Sequence, residues 1–376
     1  MTRAIEVRTV DAAQHLAFVE ARSGSFLQTP AWGRLKTDWR AESLGWFRNT
    51  STGDEMVGAG LVLYRSLPRV GRSLAYLPEG PVTDWDAPDA LDVLRTLRDH
   101  VKAHGAFALR IGPAVPVRRW HADTVKAAIA DDAVGSLRDV TPDVTEDAGM
   151  RVRALLERLG FDHLASDDGF AAGQPEYVFQ LPLAGRTEED VLAGMNQLWR
   201  RNIKKSAKQG VVVTRGEAGD LPAFHTAYVE TATRDHFTPR PLSYFERMFQ
   251  VMEAENDDRI RLYLAHHDED LVAATTWVRV GAHTWYSYGA STAAKREVQG
   301  STAIQWQMMR DAITAGADVY DLRGITDTVA ADDSHAGLIR FKVGTGGEAV
   351  EYVGEWDLPL NKLLYKGFDA YMRRRG

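Results

Sequence analysis

Residues 261–289 read RLYLAHHDEDLVAATTWVRVGAHTWYSYG, with three apolar runs separated by two short turns. Short turns of this kind join strands that lie side by side, so each run predicts one antiparallel strand: Arg261–Ala265, Leu271–Val280 and His283–Gly289. Thr302–Ala315 then predicts a helix, and Val319–Leu322 predicts another strand. A meander followed by one strand–helix–strand crossover is expected, which is a mixed α/β order.

This element order resembles the GNAT acyltransferase fold, and the first half of the chain shows a weaker version of it. There the pattern predicts helices over Asp11–Arg22 and Pro88–His104, and strands over Met56–Arg65, Ser73–Leu77 and Phe107–Ile111. Arg151–Leu159 predicts a further helix. The polar stretch Gly169–Pro175 is a candidate linker, and Tyr177–Leu183 predicts the strand that opens a second domain. Two structurally similar halves without clear sequence repetition are expected.

Composition limits the possible functions. The chain has 376 residues, with 45 basic against 52 acidic side chains. The net charge of −7 excludes a generally basic nucleic-acid binder, so any contact with RNA or phosphate must come from a local patch. The absence of cysteine excludes disulfides, thiol nucleophiles and cysteine-ligated zinc. No signal peptide and no apolar run of membrane-spanning length is visible, so a cytoplasmic chain is expected.

Residues 337–348, GLIRFKVGTGGE, place Lys342 between an aromatic residue and a glycine-rich turn. A fixed cation beside closely approaching backbone suits an anionic transition state. The alternative is an exposed loop lysine ahead of a hairpin. The catalytic interpretation gains weight when this stretch is read with Tyr320–Ile325 (YDLRGI) and with the basic run that starts at Arg200.

That basic run places five cations on adjacent faces of one predicted helix: Arg200, Arg201, Lys204, Lys205 and Lys208. Like charges four residues apart disfavour a helix, so such a cluster in an acidic chain indicates a polyanion such as tRNA or a pyrophosphate. The alternative is a solvated face balanced by acids from elsewhere in the fold.

Two other stretches carry candidate binding residues. In residues 233–244, Arg240 has the planar fork that grips a phosphate through two hydrogen bonds, and Tyr244 can hydrogen-bond a sugar or phosphate oxygen. The alternative is a loop arginine paired with a nearby acid, with the tyrosine as packing. In residues 284–291, Tyr286 and Tyr288 share one strand face, and Tyr288 stands before Gly289 at the strand end, where it is better placed for a substrate.

The sequence lacks the motifs of several common enzyme classes. There is no Gly-x-Ser-x-Gly elbow, no Walker A loop and no His-Glu-x-x-His motif, and the eleven histidines show no spacing that indicates a metal. Residues 295–301 stand where a GNAT enzyme would hold the pyrophosphate of CoA, but their spacing departs from the usual pattern. That departure argues against acetyl-CoA.

Taken in order, these motifs resemble the FemABX family, the tRNA-dependent aminoacyltransferases that build peptidoglycan interpeptide bridges. The basic helix matches the family's Arg-Asn-Ile-Lys-Lys-x-x-Lys-x-Gly-Val pattern, and Phe26–Lys36 matches Phe-x-Gln-x-x-x-Trp-x-x-x-Lys. Residues 78–81 match its Pro-x-Gly-Pro turn, although Glu79 stands where a basic residue is usual. Only about ten residues separate Gly210 from Leu221, so the chain is FemX-like without the coiled-coil arm of some members.

The resemblance implies a role for each matched residue. Lys342, with Phe341 beside it, would be catalytic and would stabilise the oxyanion or the leaving ribose oxygen. Lys36 would grip a substrate phosphate. Substrate-pocket residues would be Thr238, Arg240, Tyr244 and Tyr288; Asp84 would join them or simply cap its turn. No cofactor and no metal are implied.

The resemblance also implies two tandem GNAT-like domains in an α/β (α+β) fold. One would comprise residues 1–175 plus about 348–376, and the other residues 176–347. The implied activity moves an amino acid from aminoacyl-tRNA to a stem-peptide amine of UDP-MurNAc-pentapeptide or lipid II, and a peripheral place at the inner membrane face is compatible with it. The alternatives are a CoA-dependent N-acyltransferase and a non-catalytic binder of cell-wall precursor or tRNA.

Overall fold

The computed structural model describes residues 5–51, 53–67, 70–164, 173–330 and 336–373. The strands within these ranges are: β1 Ile5–Thr9, β2 Arg40–Thr50, β3 Gly53–Ser66, β4 Ser73–Leu77, β5 Val82–Thr83, β6 Ala106–Ile111, β7 Pro116–His121, β8 Val144–Thr145, β9 Asp162–His163, β10 Tyr177–Pro182, β11 Val212–Gly216, β12 Ile260–His267, β13 Asp270–Val280, β14 His283–Ser291, β15 Val319–Ile325, β16 Glu348–Tyr352 and β17 Trp356–Pro359.

The helices in the same part of the chain are: α1 Ala12–Ala21, α2 Pro30–Leu35, α3 Ala90–Ala103, α4 Ala122–Ala130, α5 Asp147–Arg158, α6 Glu188–Gly194, α7 Gln197–Lys208, α8 Leu221–Arg234, α9 Leu242–Glu253, α10 Gly300–Thr314, α11 Ala336–Val343 and α12 Lys362–Arg373. Short 3-10 turns occupy Phe26–Gln28, Leu137–Asp139, Ala218–Asp220 and Arg296–Val298. Local capping sets several helix starts. The Asp11 side chain accepts a hydrogen bond from the Gln14 N–H (2.8 Å), and Thr187 forms a capping box with Asp190.

The chain divides into two units. Unit 1 comprises Met1–Arg118, Thr145–Glu176 and Glu351–Gly376, and unit 2 comprises Arg119–Val144 and Tyr177–Val350. The domain prediction placed residues 119–144 in the first domain. In the structure they group with unit 2 because Trp120, Val125 and Leu137 are buried in its core. Most of the candidate linker, residues 169–172, lies outside the described residues.

Unit 1 is built on an eight-stranded sheet in the order β1-β2-β3-β4-β6-β17-β9, with β5 paired to β3. Its core buries Trp46 and Tyr64 from the sheet and Leu94, Leu97 and Val101 from α3. These helix residues recur at intervals of three and four, which gives α3 one apolar face for the sheet. The C-terminal strand β17 inserts between β6 and β9, so the end of the chain completes this sheet.

Unit 2 contains the meander that the opening stretch predicted. β12, β13 and β14 pair antiparallel in sequence order, and β14 then pairs parallel with β15 after the α10 crossover. The sheet order is β11-β12-β13-β14-β15-β10-β16-β7-β8. The parallel pairing of β14 and β15 covers only His283–Trp285 against Val319–Asp321. The predicted mixed α/β class and crossover are therefore confirmed.

No helical arm follows the basic helix, as predicted. After α7 ends at Lys208, only β11 and a short 3-10 turn precede α8, and all of these residues are described.

Candidate active site

Lys342 lies in the last turn of α11 and is buried, with 3% of its surface exposed. Its ammonium Nζ donates hydrogen bonds to the carbonyl oxygens of Gly324 (2.6 Å) and Arg323 (3.2 Å) at the end of β15. The alternative interpretation of an exposed loop lysine is therefore wrong. The YDLRGI stretch and the lysine, which were read together from the sequence, meet in space.

Burial lowers the pKa of Lys342 to about 7, because an ammonium group loses hydration in the protein interior, while the nearby Asp321 carboxylate opposes the shift. At neutral pH the protonated and neutral forms therefore coexist. The protonated form can stabilise a developing negative charge, and the neutral form can accept a proton. A perturbed lysine of this kind is a feature of functional sites.

The segment that holds Lys342 is itself fixed by a buried carboxylate. Asp321 accepts hydrogen bonds from the Arg323 backbone N–H (2.6 Å) and from Gln180 Nε2 (3.0 Å). Burial alone would raise the pKa of Asp321, but the adjacent His283 imidazole outweighs it and keeps that pKa below its ordinary value. Arg323 has a φ of 64°, a left-handed conformation that a non-glycine residue adopts at some cost. The carbonyls that receive Lys342 are thus held in a defined position.

The glycine-rich turn after Lys342 packs against the protein itself. A Cβ on Gly344 would overlap the Trp199 ring, and one on Gly346 would overlap the Gly194 carbonyl. Gly346 also has a φ of 79°. The glycines are thus explained by close packing within unit 2, where the sequence analysis had used them to explain approach to a substrate. This close packing of the glycines fixes the position of the C-terminal end of α11.

Phe341 helps to fix the same end of α11. Its ring centroid lies 4.8 Å from that of Trp199, and its carbonyl accepts a hydrogen bond from Trp199 Nε1 (2.9 Å). Trp199 belongs to α7, so the basic helix and the lysine-bearing helix are joined at this point.

A second cluster brings together three of the predicted substrate residues. The Arg240 guanidinium carbon lies 4.6 Å above the Tyr244 ring, and the Tyr244 and Tyr288 hydroxyls are 3.1 Å apart. The Arg240 carbonyl accepts a hydrogen bond from His225 Nε2 (3.0 Å), which holds its backbone against α8. Burial, followed by the neighbouring Tyr288, raises the pKa of Tyr244 well above its ordinary value, so its hydroxyl stays protonated. Thr238 is exposed in the same segment.

A bulge in β14 sets the position of Tyr288. On the neighbouring strand β13, Thr275 pairs with Gly289 and Trp277 pairs with Tyr286. The two residues of β14 between Tyr286 and Gly289 therefore lie opposite Thr276 alone. The Thr276 hydroxyl accepts a hydrogen bond from the Tyr288 N–H at 3.0 Å. Bulges re-aim side chains and are frequent beside active sites. The sequence alternation places Tyr286 and Tyr288 on one face but does not show this bulge.

The five predicted cations of α7 are all exposed: Arg200, Arg201, Lys204, Lys205 and Lys208. The other face of the helix buries Trp199 and Ser206. Arg200 donates a hydrogen bond to the Ala193 carbonyl (3.2 Å). Among the residues that the structure describes, no acid forms an ion pair with any of the five, so the alternative of a face balanced by acids gains no support.

The two predicted binding residues of unit 1, Lys36 and Asp84, have different environments. Lys36 caps the C-terminus of α2, with its ammonium 4.3 Å above the Trp32 ring, and it lines a cavity of about 250 Å³. Asp84 is exposed and accepts a hydrogen bond from the Asp86 N–H (3.0 Å), which is the turn-capping role weighed from the sequence. Gln28 of the same N-terminal signature hydrogen-bonds Pro78 and Leu61, so it has a structural role.

Sequence reasoning missed a buried acid in unit 1. Glu355 accepts a hydrogen bond from the Tyr76 hydroxyl, and burial raises the pKa of Glu355 to about 7 although the tyrosine opposes the shift. Nearby, Arg110 and Asp357 form a two-bond ion pair with both bonds at 2.7 Å. Tyr76 and Glu355 are 279 positions apart in the chain, so no local pattern connects them.

The loop before α10 is held by ion pairs of its own. Lys295 and Gln299 both have left-handed backbone conformations, and Lys295 forms ion pairs with Asp270 (2.8 Å) and Asp268 (3.3 Å). The Lys295 ammonium of this loop is thus engaged by carboxylates. No helix of the described residues combines the length and apolar character that spanning a membrane requires.

The two sheets and the crossover form a fold of the tandem GNAT-like class. The model of the FemAB family matches residues 10–269 and 252–373, and the chain belongs to this family. The resemblance inferred from the motifs is confirmed.

Curated relatives agree with this assignment. Over 96% of this chain and 94% of the relative, the sequence is 24% identical to a lipid II:glycine glycyltransferase of Staphylococcus haemolyticus (strain JCSC1435). A lipid II:glycine glycyltransferase of Staphylococcus aureus (strain USA300) is 23% identical over 94% and 92% of the two chains. The chain is accordingly an enzyme of the acyltransferase class, of the aminoacyl-transferring kind.

Solved structures support the fold. The crystal structure of FemX superposes with a TM-score of 0.80 at 22% identity, covering 96% of this chain and 99% of that one. A tandem GNAT protein from the clavulanic acid biosynthesis pathway gives a TM-score of 0.53 at 13% identity, covering 95% and 99%. At these identities the likeness concerns the fold, and it confirms the prediction of tandem GNAT-like domains.

Proposed function

We propose that this enzyme transfers an amino acid from an aminoacyl-tRNA to a stem-peptide amine of a peptidoglycan precursor, lipid II or UDP-MurNAc-pentapeptide, and so builds the interpeptide bridge. Family membership and relatives named as lipid II:glycine glycyltransferases support the substrate class. The observation that carries the proposal is Lys342, a buried lysine fixed by two carbonyls beside a locked turn.

The reaction is direct acyl transfer. The precursor amine attacks the ester carbonyl of the aminoacyl-tRNA, a C–N bond forms, the bond to the ribose oxygen breaks, and the proton that the amine loses is balanced by the one that the ribose oxygen gains. Protonated Lys342 stabilises the oxyanion or the departing ribose oxygen, a role in which loss of one donor typically costs ~3 kcal/mol. With a pKa of about 7, Lys342 carries that cation in part of the molecules at neutral pH. Phe341 and Trp199 hold the helix that carries it.

The precursor is assigned to the tyrosine cluster. Arg240 offers a planar, forked cation for a phosphate, and Tyr244 and Tyr288 offer hydroxyls 3.1 Å apart for phosphate or sugar oxygens. Thr238, in the same exposed segment, and Lys36 of unit 1 are assigned to the precursor by their motif positions. The position of Asp84 is explained by turn capping, so its assignment to the substrate is the one that the geometry supports least.

The tRNA is assigned to α7. Its five exposed cations form a local basic patch in a chain of net charge −7. Phosphate backbones bind such patches and release their counterions, so the contact is strongly dependent on salt. Trp199 and Phe341 connect this helix to the helix of Lys342, which would place the acceptor end of the tRNA near the reacting lysine.

The test is transfer by the purified chain. It is incubated with a mixed pool of charged tRNAs and, in separate reactions, lipid II or UDP-MurNAc-pentapeptide, and the products are analysed by mass spectrometry. We expect a precursor heavier by one or more amino-acid residues, with the mass giving the amino acid. A parallel reaction with acyl-CoA covers the alternative donor. Transfer from acyl-CoA alone would replace the proposal, and binding of precursor without transfer would indicate a non-catalytic binder.

A further inference from the structure

Unit 1 contains a cluster of three potential metal ligands that the reaction does not use. Glu42 lies on β2, His100 lies in the last turn of α3, and His104 caps the end of that helix. One ligand atom from each residue lies within 4.8 Å of the other two. The two histidines are four positions apart, so they stack on one helix face with ring centroids 4.1 Å apart.

The hydrogen bonds prepare His104 for a metal. Its Nδ1–H donates to the His100 carbonyl (2.8 Å), which fixes the tautomer and leaves the lone pair of Nε2 available. Metal-bound histidines commonly have a backbone carbonyl as the partner of the second ring nitrogen. Within the described ranges, Nε2 of His104 has no hydrogen-bonding partner.

Glu42 supplies an oriented anionic ligand. Its carboxylate accepts hydrogen bonds from the Tyr64 hydroxyl (2.9 Å) and the Thr9 hydroxyl (3.1 Å), and His100 Nε2 lies 3.2 Å from Oε1. The guanidinium of Arg40, an exposed side chain, lies 3.7 Å from Oε2.

We propose that Glu42, His100 and His104 form a binding site for a divalent transition-metal ion of the Zn²⁺ type, which cross-links the end of α3 to β2. Two imidazoles and one carboxylate are a common donor set for Zn²⁺. Bonds of about 2.0–2.2 Å at tetrahedral angles place ligand atoms roughly 3.3 Å apart, so small side-chain rotations close the cluster. The Nε2 proton of His100 moves to Nδ1 on binding, and the fourth position is left to water.

The experiment uses the untagged full-length chain, stripped of metal by a chelator and then dialysed. Isothermal titration with Zn²⁺ should show one equivalent bound, and Zn²⁺ should raise the melting temperature because it binds only the folded state. His104→Gln and Glu42→Gln should each weaken Zn²⁺ binding by at least ~10-fold and abolish the thermal shift. His121→Gln, an exposed histidine of unit 2, is the matched control and should behave as wild type.

Two results would overturn the site. One is Zn²⁺ affinity in His104→Gln equal to that of wild type. The other is a stoichiometric site that remains in both ligand variants. Circular dichroism of the metal-free variants shows whether each is folded. Because His104 is exposed, His104→Gln is the substitution that disturbs the core least. Absorption of bound Co²⁺ gives an independent reading, since tetrahedral nitrogen and oxygen ligation produces strong visible bands in wild type alone.

Discussion

Lys342→Met tests whether the lysine is a buried, titrating cation or an ordinary structural residue. Methionine keeps the length and apolar stem of lysine but has no charge. It also removes the donor to the Arg323 and Gly324 carbonyls, which by itself costs ~1–3 kcal/mol at every pH. The informative quantity is therefore the pH dependence of the stability difference between wild type and variant.

The pKa of Lys342 is lowered from 10.5 to about 7 in the folded protein. Between these values the unfolded chain binds the proton and the folded protein does not, so the stability of wild type rises with pH across this window. Below pH 7 both states are protonated and the slope vanishes. At about 1.4 kcal/mol for each unit of full proton difference, raising the pH from 7 to 9 should stabilise wild type relative to Lys342→Met by about 2 kcal/mol.

Urea unfolding of both proteins at pH 7, 8 and 9 measures this difference. Parallel stability curves, with less than ~0.5 kcal/mol of change, would refute a buried titrating lysine. Single-turnover transfer with saturating substrates measures the catalytic role. Lys342→Met should lower it by roughly 10²–10³-fold with little change in precursor affinity, and wild-type turnover should fall as the cation is lost above pH 7. A loss smaller than about threefold would end the catalytic assignment.

Three further predictions follow from the same geometry. Arg240→Ala should weaken precursor binding by about 10–100-fold with Arg240→Lys rescuing it poorly, and unchanged affinity in calorimetry would remove the arginine from the pocket. The double variant Lys204→Glu with Lys205→Glu should raise the KM for charged tRNA and lower the salt dependence of tRNA binding, while precursor affinity stays constant. Reduced stability with normal tRNA use would instead show that the basic face of the helix has a structural role. Gly346→Ala should destabilise the fold by roughly 2 kcal/mol or more in thermal unfolding, because Gly346 has a positive φ and an added Cβ would overlap the Gly194 carbonyl. The control Gly337→Ala, in an open helical position, should be neutral or stabilising, and equal effects of the two variants would contradict the packing argument.

The local structure could be predicted from the sequence because its causes are local. β4 has the predicted bounds, Ser73–Leu77, since an apolar run that stops at the proline- and glycine-rich turn of residues 78–81 fixes where such a strand ends. The meander and crossover of unit 2 followed from short turns, because these leave strands little choice of partner.

The ordered motifs also indicated the family, since spacing along the chain survives in a single sequence. They did not indicate the metal cluster. The histidine spacings alone indicated no metal. His100 and His104 are four positions apart, but Glu42, the third residue of the proposed site, lies 58 positions from His100 and joins them only through the packing of α3 on the sheet.

The environment of each functional side chain was decided by the tertiary structure. The sequence places Lys342 beside a turn and leaves an exposed loop lysine as the alternative, but in the structure it is buried and donates hydrogen bonds to carbonyls 18 and 19 positions away. Tyr244 and Tyr288 are 44 positions apart in the chain, and the packing of α9 and the bulge in β14 bring their hydroxyls together. A residue's type and spacing determine what chemistry it offers, but its burial, pKa and partners depend on which distant segments pack around it, and that information resides in the folded chain alone.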